Sequence, residues 1–157
     1  MPPTFSPQAE KEIETLLATH LTRESCSIPV LWIAQREFGW ISAEVKDLVA
    51  ARLKISRQLV EGVASFYTMF RREAPGKHAF EVCMTLPCVL QHAEELLAFM
   101  EDKLGVKAGG TSANGQYSLG KMECLGACGF GPVVVHNGTY HENMTPAKLE
   151  ALLKKLG

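Results

Sequence analysis

Two short cysteine clips constrain this chain more than any other feature. Cys83-Met84-Thr85-Leu86-Pro87-Cys88 separates two thiols by four residues, Cys124-Leu125-Gly126-Ala127-Cys128 separates two more by three, and 35 residues lie between the clips. Four thiolates in two clips match the ligand set of a [2Fe-2S] cluster or of a structural zinc site. Any fold the chain adopts must then bring two distant segments to one place. Zinc sites commonly repeat a knuckle with two intervening residues, so the wider gaps here suit the larger iron–sulfur core better. A redox disulfide is a third reading, weakened because no C-x-x-C pair is present.

An iron–sulfur core held by four thiolates is an anion that becomes more negative on reduction, so it needs N–H donors and positive dipole ends nearby. Residues 89 to 104 carry Leu90, Ala93, Leu96, Leu97, Met100 and Leu104 at helical spacing. This predicts a helix whose positive end faces Cys88 and favours its thiolate. Gly126, Gly129 and Gly131 let the second clip wrap closely and aim backbone N–H groups at sulfur.

The fifth cysteine, Cys26, stands between Ser25 and Ser27 and reads as a bystander thiol that behaves as a small hydrophobe rather than as a fifth ligand. Five cysteines without a secretory start argue against a disulfide framework. The first residues, Met1-Pro2-Pro3-Thr4-Phe5-Ser6-Pro7, have neither a signal peptide's charged start and apolar middle nor a transit peptide's Arg-rich pattern, so a cytoplasmic location is expected. A formal net charge of -1 offers no footprint for nucleic acid. No apolar run approaches the roughly 20 residues needed to span a bilayer.

The remaining pattern predicts an α/β protein with a small helical bundle first. Ser6-Pro7 opens a helix over 7–21 with Ile13, Leu16, Leu17 and Leu21 on one face. A second helix runs over 29–38 and stops at Gly39. Ser42 caps a third that carries Val45, Leu48, Val49 and Leu53, and Ser56 caps a fourth that runs through Leu59, Val60, Val63 and Phe66 to Phe70. Gly62 inside that helix costs about 1 kcal/mol against alanine, which is most simply explained by close approach of another backbone.

After Ala74-Pro75-Gly76-Lys77 the period changes. Strands are expected over 78–84, 116–123 and 133–137, with turns at Asn114-Gly115 and Asn137-Gly138 and a last helix from Thr145-Pro146 to Leu156. That order implies a mixed sheet.

Helices three and four have the rhythm of a helix-turn-helix reader, but the second offers only Arg57 and Gln58 near its start, so a packed hairpin is the better account. His78, His92, His136 and His141 form no recognisable ligand set and read as surface or turn residues. Trp32, Trp40, Phe66, Tyr67 and Phe70 either fill the bundle core or meet a partner. Arg71-Arg72 reads as a solvated pair.

Val60-Glu61-Gly62-Val63-Ala64-Ser65-Phe66-Tyr67, Pro75-Gly76-Lys77-His78, Val82-Cys83 with Pro87-Cys88, and Glu123-Cys124-Leu125-Gly126-Ala127-Cys128 closely resemble the E subunit of the NADH-quinone oxidoreductase of respiratory complex I. The same module occurs in NAD-linked hydrogenases and formate dehydrogenases. The resemblance implies a helical bundle over 1–74 and a thioredoxin-like [2Fe-2S] domain over 75–157. By position, Cys83, Cys88, Cys124 and Cys128 would be the iron ligands.

The resemblance also implies a larger partner subunit that holds NADH and FMN, and a peripheral place on the inner face of the membrane. This chain would then pass electrons without being catalytic alone. Consistent with that division, no G-x-G-x-x-G stands between a strand and a helix. Gly131 departs from the alanine common in the family before the proline that follows the last ligand. A zinc-stapled interaction module is the reading from another class.

Overall fold

A computed structural model describes residues 3–156; Met1, Pro2 and Gly157 lie outside the described residues. The chain divides into two compact units, residues 1–74 and 75–157.

The first unit is helical. Helix α1 spans Pro7–Thr19, and the Ser6 hydroxyl accepts from Ala9 N–H at 3.2 Å. Helices α2 (Ser27–Phe38), α3 (Ala43–Leu53) and α4 (Arg57–Phe66) follow. Gly39 ends α2 in the left-handed region (φ 80°), and the Ser42 and Ser56 hydroxyls cap α3 and α4 as their sequence positions predict. Ile13, Val30, Leu31, Ile41, Val49, Leu53 and Val60 are fully buried in one core, and Cys26 is buried with them. The leftover thiol is therefore a packing group: it donates to the carbonyls of Leu16 and Thr22 at 3.6 Å, and burial raises it above the usual thiol range.

Four expectations for this unit need correction. Helix α1 stops at Thr19, where His20 turns extended, and Leu21 is fully exposed rather than on the apolar face. Helix α2 begins two residues early, at Ser27, after a short 3-10 turn over Glu24–Cys26. Helix α4 ends at Phe66, and the following segment folds back over α2. The Gln35 side chain fastens it there by donating to Met69 O (3.0 Å) and accepting from Arg71 N–H (2.7 Å), and Ile41 N–H donates to Arg71 O. Gly62 lies on the exposed face of α4, with nothing within 4 Å of where a Cβ would stand, so close backbone approach within the chain does not explain it.

The aromatic residues divide between the two uses proposed for them. Phe70 fills the core and Tyr67 packs on it, whereas Phe66 and Trp32 are 77% and 46% exposed. Arg57 pairs with Asp47 and Glu61, both at 2.7 Å, which makes α3–α4 a charge-tied hairpin in which this arginine is already engaged.

The second unit is a five-stranded mixed sheet ordered β2-β3-β1-β4-β5. Strands β1 (His78–Cys83) and β3 (Tyr117–Met122) run parallel. Strands β2 (Gly110–Thr111), β4 (Val134–His136) and β5 (Thr139–His141) complete the sheet antiparallel to their neighbours. Helices α5 (Leu86–Val89), α6 (Ala93–Leu104) and α7 (Pro146–Leu156) accompany it. Phe80, Val82, Leu119 and Val134 share one sheet face and pack with Leu96, Met100 and Leu149 from α6 and α7.

Two strands escaped the sequence reading, β2 and β5, at two and three residues each. Strand β5 follows β4 through Asn137 and Gly138, both at positive φ (46° and 84°), so the turn pair closes a hairpin. The helix expected over 89–104 is broken: α5 ends at Val89, His92 turns left-handed (φ 69°), and α6 starts at Ala93.

The histidines also need correction. His78 is buried, and its Nδ1 lies 3.2 Å from Nε2 of His136, which stacks on Phe80 with ring centroids 4.6 Å apart. His141 comes within 6.2 Å of His136, and its Nε2 is buried without a hydrogen-bond partner. Strand register explains the gathering, since Phe80 pairs with His136 while His141 stands opposite Val134 on the same face. His92 remains at the surface, paired with Glu95 at 2.9 Å.

Burial first, then His78 and His141, hold His136 below the usual imidazole value. A group whose folded pKa is depressed contributes its full stability above the unfolded value of about 6.5 and loses it as pH falls through the folded pKa. The thermal midpoint should therefore decline on acidification from about pH 7 to 5. His136→Phe, which keeps the stack on Phe80, should flatten that decline; an unchanged pH slope would refute the assignment.

Candidate metal centre

Sheet topology brings the clips together. Because β1 and β3 are parallel, both clips leave the same end of the sheet: Cys83 is the last residue of β1 and pairs with Met122, two residues before Cys124. Strand β4 returns from the second clip beside β1, and Cys83 N–H donates to Val133 O at 3.0 Å. Within the second clip, Cys124 Sγ and Cys128 Sγ stand 4.0 Å apart. In the first, Cys83 and Cys88 share one buried cluster with Ala93 and Val133. Cys83 and Cys88 are each 2% exposed, whereas Cys124 and Cys128 are exposed, so the site has an inner and an outer pair of sulfurs.

Backbone and side-chain donors surround these sulfurs. Burial pushes the Cys83 thiol up, but hydrogen bonds from the Thr85 hydroxyl and N–H, from Leu125 N–H and from Cys88 outweigh it and leave Cys83 below the usual thiol range. Cys124 is lowered by Gly126 N–H, which donates at 3.4 Å, and then by the Thr85 hydroxyl. Gly126 adopts φ 75°, a conformation that the expected role of this glycine requires. Gly129 has open space around it and plays no comparable part.

Cys88 is raised, first by burial and then by Cys83, and Cys128 is raised by its hydrogen bond to Cys124. This overturns the helix-dipole expectation. Cys88 lies inside the short α5, and α6 begins five residues further on, so no long helix points its positive end at this sulfur.

Two thiolates in either pair would repel each other. Like charges so close cannot both form without a cation between them, and positive metal would relieve both pairs at once. Among the described residues, no group of three or more His, Cys, Asp or Glu side chains is set to hold a single metal ion. The sulfurs stand as two pairs, and two pairs are the donor arrangement of a binuclear core.

Two residues that the sequence reading passed over tie the clips together. Thr85 Oγ1 lies 3.0 Å from Cys83 Sγ. Gln91 Nε2 donates to Pro87 O at 2.9 Å and to Cys128 O at 3.4 Å. A Cβ on Gly131 would stand 2.7 Å from that Gln91 nitrogen and 3.3 Å from Cys88 Sγ, so glycine there leaves room for the Gln91 bridge. The Gly131–Pro132 peptide is cis. The signal that could have found Thr85 was its place between two ligand candidates; Gln91 lay in what read as unbroken helix.

An α/β domain whose parallel strands β1 and β3 lead into two cysteine clips at one end of a mixed sheet has the thioredoxin-like fold. The thioredoxin-like [2Fe-2S] ferredoxin family matches residues 13–157, and the chain belongs to that family, among the E subunits of NADH-quinone oxidoreductase. It is 38% identical to the NADH-quinone oxidoreductase E subunit 2 of Rhizobium meliloti over 92% of this chain and 86% of that one. Identity is also 38% to the E subunit of the Rickettsia bellii NADH-quinone oxidoreductase, over 85% and 81%. The mitochondrial NADH dehydrogenase [ubiquinone] flavoprotein 2 of Dictyostelium discoideum is 36% identical over 97% of this chain and 63% of its own length.

Among solved structures, an air-oxidised NAD+-reducing [NiFe]-hydrogenase shares the fold, with a TM-score of 0.71 at 17% identity over 80% of this chain and 22% of that one.

Proposed function

We propose that Cys83, Cys88, Cys124 and Cys128 hold one [2Fe-2S] cluster, each clip serving one iron, and that the chain is the electron-transfer subunit of an NADH-quinone oxidoreductase. The gathering of the two sulfur pairs at one sheet end carries this reading. Such a cluster supplies reversible uptake of one electron. The residues of this chain prepare the site for it. N–H groups of Thr85, Leu125, Gly126 and Val133 point at sulfur and stabilise the added negative charge, and Gln91 holds the clips in register.

The inner pair is shut away from water and the outer pair is exposed, so electrons pass through the Cys124–Cys128 side. Exposed Leu86 and Leu90, with Phe130 from the 3-10 turn that packs against α5, offer apolar contact beside the clips. The partner is a subunit that binds NADH and FMN; this chain does not catalyse NADH oxidation alone. The relatives named as subunits of NADH-quinone oxidoreductase support that division. Among the described residues no helix is long and apolar enough to cross a membrane. The chain is held at the inner membrane face through its complex.

Affinity capture of the chain from its native cells tests the partner. The captured complex should contain FMN and oxidise NADH with an artificial acceptor, while the purified chain should do neither. A capture free of FMN and of NADH oxidation would contradict the assignment.

A further inference from the structure

Thr85 occupies the N-cap position of α5, with extended backbone (φ -79°, ψ 157°), yet its side chain makes no capping hydrogen bond. Capping by threonine stabilises a helix by about 1 kcal/mol, and Ser6, Ser42 and Ser56 all use their hydroxyls this way. The Thr85 hydroxyl is turned away from its helix and onto sulfur, 3.0 Å from Cys83 Sγ. The same hydroxyl also helps to hold the Cys124 thiol of the other clip below the usual thiol range.

A thiolate accepts hydrogen bonds and donates none, so with metal bound the Thr85 O–H can only be the donor. Reduction adds negative charge to the sulfurs and strengthens that bond, which makes the reduced state the one it favours. The neighbouring backbone donors are fixed by the fold, whereas this donor is set by the side chain alone.

We propose that Thr85 is a positioning residue that raises the readiness of the centre to accept an electron, by donating its hydroxyl proton to Cys83 Sγ at the junction of the two clips. This rests on the four-cysteine reading above. Thr85→Val keeps the shape and removes the donor; Thr85→Ser keeps the donor.

The full-length chain, reconstituted with iron and sulfide, is titrated with dithionite under redox mediators and followed by visible absorption and paramagnetic resonance. Thr85→Val should change the oxidised-to-reduced ratio at a fixed potential about tenfold towards oxidised, equivalent to about 59 mV for one electron, and Thr85→Ser should restore the wild-type midpoint. A second readout is the wild-type signal from exchangeable protons coupled to the centre after transfer to D2O: Thr85→Val should lack one that Thr85→Ser retains.

A wild-type chain that forms no binuclear centre would overturn the ligand assignment itself. A wild-type centre with unchanged midpoint and proton couplings in Thr85→Val would overturn the role of Thr85 alone. Failure of both Thr85→Val and Thr85→Ala to hold a centre that Thr85→Ser holds would also overturn it, because the hydroxyl would then be needed for assembly rather than for tuning.

Discussion

Cys124→Ser should strip the chain of most of its visible absorption and of the paramagnetic signal of the reduced centre. The sulfur of Cys124 is exposed, lies 4.0 Å from Cys128 Sγ, and accepts from Gly126 N–H. A serine oxygen is a harder and smaller donor on a shorter reach, so it cannot replace a thiolate on iron without moving the loop. Cys26→Ser is the control. Its sulfur is buried in the helical unit between the carbonyls of Leu16 and Thr22, which a serine hydroxyl can also meet. The spectrum of that variant should match wild type. Equal spectral loss in both variants would mean that the ligand set is misassigned.

Gly76→Ala should be the most destabilising of the conservative glycine changes. An added Cβ would stand 2.6 Å from the Tyr117 carbonyl carbon and 2.8 Å from Ser118 N, both backbone atoms of β3, and no side-chain rotation relieves such contacts. Gly76 N–H also donates to Ser118 Oγ at 3.2 Å, and Lys77 N–H and His78 N–H donate to Gly115 O and Gln116 O. The segment leading into β1 is thereby pinned just where the β1–β3 register begins. Moving it would cost on the order of 3 kcal/mol and lower the thermal midpoint by roughly 10 °C or more. Gly62→Ala, in open space on α4, should by contrast be neutral or slightly stabilising. Similar midpoints for wild type and Gly76→Ala, measured by circular dichroism, would contradict the packing described.

Local chemistry made much of this protein legible. The three serine caps, the Gly39 stop and the Asn137-Gly138 turn each act within a few residues, so their sequence signals survive folding. The cysteine clips were legible because thiolates in that number leave few chemical uses. What was missed depends on contacts distant in sequence. Helix α4 ends at Phe66 because Gln35 and Ile41, 36 and 30 residues before Arg71, hold the next segment. The break before α6 passes through His92 in a left-handed turn that no glycine marks. The histidine cluster arises from the register of three strands, one of them too short to read as a strand. Thr85 stands at the N-cap of a helix too short to announce itself in sequence, and its hydroxyl lies against sulfur instead of capping.

Iron, acid-labile sulfide and zinc can be assayed in the purified chain, with paramagnetic resonance after dithionite reduction. Iron and labile sulfide should be present in equal amounts, in [2Fe-2S] stoichiometry, with the spin signal of one reduced binuclear centre. Stoichiometric zinc, no labile sulfide and no spin signal would contradict the cluster assignment.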